Sequence, residues 1–123
     1  MPIQVYFDAE TMRIDFSGHV TREELFRGLR EIETVESAPA VTPHRITDLS
    51  AMAVSDNSFP EVLALAEHRK RRQFPNAFKA AIVASRPANV GIARMFQTLN
   101  DHPQITIRIF PDLAAAQAWI AER

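Results

Sequence analysis

Three serines, Ser50, Ser55 and Ser58, sit in or beside the stretch DLSAMAVSDNSF (48–59), with His44 upstream and His68 downstream. A serine hydroxyl becomes a nucleophile when a histidine takes its proton and an acid orients the ring. The residue types for such a triad are present. The spacing that announces one, G-x-S-x-G at a strand-to-helix elbow, is absent. The serines read as turn and cap residues, and an enzyme is not expected.

Metal chemistry has a similar inventory and a similar outcome. His19, His44, His68 and His102 are scattered, and none pairs with another at i+3 or i+4. A fold could join His44 to Asp48, or His68 to Asp56, but the spacing requires neither. There is no cysteine, which excludes disulfides, thiol catalysis, zinc–thiolate sites and iron–sulfur clusters. No metal or cofactor is expected.

Anion binding is a third chemistry. ASRPANVG (84–91) places Ser85, Arg86 and Asn89 at a helix start, where free N–H groups and the helix dipole attract negative charge. Its single glycine makes it neither a P-loop nor a dinucleotide fingerprint. The run HRKRR (68–72) invites a nucleic-acid reading. Five adjacent helical residues form no stripe, and no aromatic residue is interleaved for base stacking. A protein rim or an anionic lipid contact accounts for it at least as well, and nucleic acid is not the expected partner.

The bulk properties agree. The 123 residues are 46% hydrophobic and 24% charged, with a net charge of -1, as expected for a single domain (1–123) with one core. The chain starts MPIQVYFDAE, without the basic-then-apolar pattern of a signal peptide. No apolar run approaches the roughly 20 residues of a transmembrane helix. The expected location is the cytoplasm.

The elements that must position these residues follow from periodicity. IQVYF (3–7) and MRIDFSG (12–18) alternate and should form an antiparallel hairpin. Thr21 and Glu24 match a capping box, opening a helix over about 22–36. HRITDLS (44–50) reads as a strand. Ser58 and Glu61 form a second capping box before a helix with Val62, Leu65, Ala66 and Arg69 along one side. FKAAIVA (78–84) is apolar enough for a central strand. Ser85 is the expected cap of the next helix, whose core face holds Ile92, Phe96 and Leu99. QITIRIF (104–110) is a β-branched strand. Asp112 caps a last helix with core residues Leu113, Ala116 and Ile120, and Trp119 and Phe110 are expected in the core. The order ββαβαβαβα predicts an α/β fold, a mostly parallel mixed five-stranded sheet with four helices. Ligands of such sheets meet loops at the strands' carboxyl ends, here 50–58 and 85–89.

ITDLSAMAVSDNSF (46–59) resembles the STAS domains of anti-sigma-factor antagonists, the SpoIIAA-like architecture. Their third strand ends in an LDLS-like run, matched by Asp48, Leu49 and Ser50. A DSSG-like motif then opens the next helix, matched by Asp56, Asn57 and Ser58. VGIARMF (90–96) and IFPDLAAAQAWI (109–120) are similar to small bacterial STAS-like proteins. The resemblance implies a non-catalytic regulatory or protein-binding module, its partner another protein or a second copy of the chain. The candidate contact rim is Ser55, Asp56, Asn57, Ser58, Ser85, Arg86 and Asn89. In the antagonists the first serine of the motif accepts phosphate. That position is Asn57 here, so the usual phosphoserine switch is expected to be missing. Sec14-like lipid carriers share this fold type, which makes a lipid or small apolar ligand the alternative.

Overall fold

Ile3, Val5 and Phe7 alternate with polar residues, as do Met12, Ile14 and Phe16. They lie on antiparallel strands β1 (Ile3–Asp8) and β2 (Thr11–Gly18), in register Ile3↔Phe16 through Asp8↔Thr11. The structure is a computed structural model that describes residues 3–53 and 59–122. Strands β3 (Arg45–Met52), β4 (Phe78–Val83) and β5 (Ile105–Phe110) extend the sheet in parallel, in the order β1-β2-β3-β4-β5. Helices α1 (Arg22–Ser37), α2 (Phe59–Lys70), α3 (Pro87–Leu99) and α4 (Leu113–Ala121) alternate with them. The expected ββαβαβαβα order, mixed sheet and four helices are all present.

Local chemistry sets the helix starts. At α1, Thr21 Oγ1 accepts from the Glu24 N–H at 3.2 Å, and Glu24 Oε1 accepts from the Thr21 N–H at 3.0 Å. At α4, Asp112 Oδ1 accepts from the Ala115 N–H at 2.8 Å. The α3 start differs from expectation. Its N-cap is Arg86, extended at φ −70°, ψ 136°, and no side chain caps it. The cause is Pro87. A proline forces the preceding residue out of the helical region, so the helix begins one residue later than a Ser85 cap would require. The Ser58–Glu61 capping box involves Ser58, which lies outside the described residues.

Strand alternation divides the core between two faces. Ile14, Leu49 and Ile82 point to the side covered by α1 and α3. Ile46, Ala81 and Val83 point to the other, where they meet Ala116 and Trp119 of α4. Trp119 is buried and packs against Phe110 with ring centroids 5.5 Å apart, while Phe110, Leu113 and Ile120 are only partly buried. Helix α1 approaches β1 closely at Gly28. A Cβ there would lie 2.7 Å from Ile3 Cδ1, so any larger residue would force the Ile3 side chain to move.

Candidate functional site

The carboxyl end of β3 is tied to the start of α3. Asn89 Nδ2 donates to the Leu49 carbonyl at 3.0 Å and to the Met52 carbonyl at 3.2 Å. An Arg86 amino nitrogen donates to the same Met52 carbonyl at 3.3 Å. These bonds satisfy β3 carbonyls that run past its pairing with β4. Of the rim residues read from the sequence, Ser85 and Arg86 are exposed. Asn89 is 1% exposed, so it braces the rim from beneath and presents no outer contact. Ser55, Asp56, Asn57 and Ser58 lie outside the described residues.

A second feature lies under the helices. A cavity of about 130 Å³ runs between the sheet and α1, α2 and α3. Its walls include Ile14 and Phe16 of β2, Leu25 and Leu29 of α1, Leu49 of β3, Ile82 of β4 and Phe96 of α3. Along β3 the lining passes from Arg45 through Thr47 and Leu49 to Met52. A well-packed interior leaves few voids larger than a water molecule. An apolar cavity of similar size, about 150 Å³ in an engineered protein, stays dry and binds benzene.

One end of this cavity is charged. Arg45 and Arg69 line it beside Glu36, whose side chain is 1% exposed. Glu36 Oε2 accepts from Arg45 at 3.0 Å and from Arg69 at 3.0 Å. Its Oε1 accepts from Arg69 at 2.6 Å and from Arg72 at 3.4 Å. Glu33 adds contacts to Arg69 at 3.4 Å and to His68 at 3.2 Å. Arg72 Nε lies 3.3 Å from Glu33, close enough for ion pairing but misaligned for a hydrogen bond. Burial, with the neighbouring Arg69 charge, pushes the Arg45 guanidinium down to about 9, against the opposing pull of Glu36. It stays charged at neutral pH.

This cluster absorbs much of the basic run. Arg69 points inward, and His68 and Arg72 reach back to α1. His44 and His102 are engaged locally, and His19 is exposed. His44 Nδ1 accepts from the Lys79 N–H at 2.9 Å, and burial and Lys79 lower its pKa. His102 Nδ1 accepts from the Gln104 N–H, and its Nε2 meets the Arg72 carbonyl at 2.6 Å. Among the described residues, no three acidic or histidine side chains converge as metal ligands. No helix among them is long and apolar enough to cross a membrane.

Sequence reasoning missed Glu36 and Arg45 as site residues. One signal was present. Leu25, Leu29, Ile32 and Glu36 keep a helical spacing of four, three and four, so the carboxylate continues the apolar stripe of α1 and must enter the interior with a partner.

Among solved structures, the chain is similar to an uncharacterized protein of the DUF3478 family with a SpoIIAA-like fold from Shewanella loihica PV-4. The two are 13% identical with a TM-score of 0.64, over 97% of this chain and 92% of that one. The chain therefore has a SpoIIAA-like fold, as the central motif implied. No protein-family model matches it, and no curated protein matches it.

Proposed function

We propose that this chain is a non-catalytic binding module that holds a small apolar molecule in the cavity between its sheet and α1–α3. The observation that carries this reading is the cavity itself: about 130 Å³ bounded almost wholly by aliphatic and aromatic side chains, with polar groups gathered at one end. Apolar walls with a few convergent polar groups are the usual composition of a ligand site. Native mass spectrometry of the purified chain tests it. The reading expects a retained small molecule, or uptake of added octan-1-ol, and loss of either in Ala93→Met, where the longer side chain enters the space. A bare mass that takes up nothing contradicts it.

A protein contact at the strand-end rim is the second reading. It draws on the exposed Ser85 and Arg86 at the uncapped start of α3. Arg86→Glu should then abolish capture of the partner, with the fold intact by circular dichroism. Unchanged capture removes Arg86 from the contact.

A further inference from the structure

The charged end of the cavity is not neutral. Arg45 and Arg69 bring two positive charges to it and the buried Glu36 one negative charge, while Glu33, the partly exposed Arg72 and the exposed His68 form the outer part of the cluster. Glu36 has both oxygens doubly engaged, so it has no capacity left for another donor. Arg45 gives one amino nitrogen to Glu36 and stacks over Phe78 at 5.1 Å. Its other nitrogens donate to no described residue, although its side chain is 6% exposed and lines the cavity. A buried guanidinium with unused donors and excess positive charge favours an anion.

We infer that the cavity's ligand is an alkyl monocarboxylate, its carboxylate seated against Arg45 and its chain lying along the apolar walls toward Phe16 and Met52. This rests on the cavity reading above and names the ligand class for the same site. A single negative charge matches the excess of one. A phosphate monoester carries about −1.5 to −2 at neutral pH and would overcompensate. A diacyl lipid is far larger than a cavity in the size range that accepts a benzene ring. Burial and the Arg69 charge both lower the pKa of Arg45, and a carboxylate beside it would act in the opposite direction.

The test is calorimetric titration of the full chain at pH 7 with octanoate, octan-1-ol and octyl phosphate. Octanoate is expected to bind about tenfold or more tightly than octan-1-ol, the range of a charge-assisted hydrogen bond. Arg45→Met should erase that difference, bringing octanoate binding down to the level of octan-1-ol in the same variant. Equal affinities for octanoate and octan-1-ol in the native chain overturn the inference and leave the cavity reading standing. Tighter binding of octyl phosphate than of octanoate also overturns it. Binding of none of the three overturns both. The comparison in the native chain decides the matter even where Arg45→Met fails to fold.

Discussion

Arg45 of β3 donates to Glu36 of α1 at 3.0 Å, with both side chains almost free of solvent. The bond joins the start of a central strand to the last turn of the helix across the cavity's charged end. Glu36 is the shared acceptor for three arginines. Removing it leaves Arg45 and Arg69 buried without their main counter-charge. Glu36→Ala is therefore expected to destabilise the fold by about 3–5 kcal/mol. Arg45→Met should cost less, since Glu36 keeps Arg69 and Arg72. Urea unfolding followed by the fluorescence of the single Trp119, on the opposite face of the sheet, checks the order. Equal losses would mean that the carboxylate is not the hub.

Asn89 bridges two carbonyls at the end of β3 while its own Oδ1 finds no partner among the described residues. Asn89→Ala should cost about 1–3 kcal/mol through unsatisfied carbonyls. Asn89→Asp should cost more, because it sets a carboxylate against two carbonyl oxygens. Chemical denaturation of both variants gives the comparison, and a milder Asp variant would refute the bracing role.

His44 sets a pH dependence. Its folded pKa lies below the ordinary 6.5, mainly through burial and secondarily through Lys79. The unfolded chain thus binds this proton more readily. The contribution of His44 is complete above pH 6.5 and declines as pH falls toward the folded value. Stability should drop as pH falls through and below 6.5, and His44→Gln should flatten the slope. An unchanged slope assigns the effect to other groups.

Tyr6, the only tyrosine, donates to Asp15 Oδ2 at 2.6 Å. This bond is the largest cause raising its pKa above 10.0. Absorbance titration near 295 nm should show a midpoint above that value in the native chain, moving back toward it in Asp15→Asn. Coincident curves would show that the bond does not persist in solution.

Legibility in the sequence tracked the range of the interaction. Thr21–Glu24 and Asp112–Ala115 are contacts three residues apart, so the capping residues alone placed the starts of α1 and α4. Strands β4 and β5 were visible because their β-branched or apolar runs leave few alternatives. The α3 cap went astray by one residue where the backbone limit of Pro87 outweighed the side-chain preference of Ser85. The Glu36–Arg45–Arg69 cluster joins residues 9 and 33 positions apart on three elements. Spacing could show Glu36 and Arg69 on inward faces but not their convergence with Arg45. The cavity was least legible, because a void is a property of how side chains from several elements fail to meet.

The most direct measurement of the central claim is a methyl NMR titration of the full chain with octan-1-ol. Binding in the cavity predicts saturable shifts for Ile14, Leu25, Ile82 and Ile107, which line it, with Ala116 and Ile120 of α4 unmoved. Shifts spread over surface methyls, or none at saturating alcohol, would contradict the account.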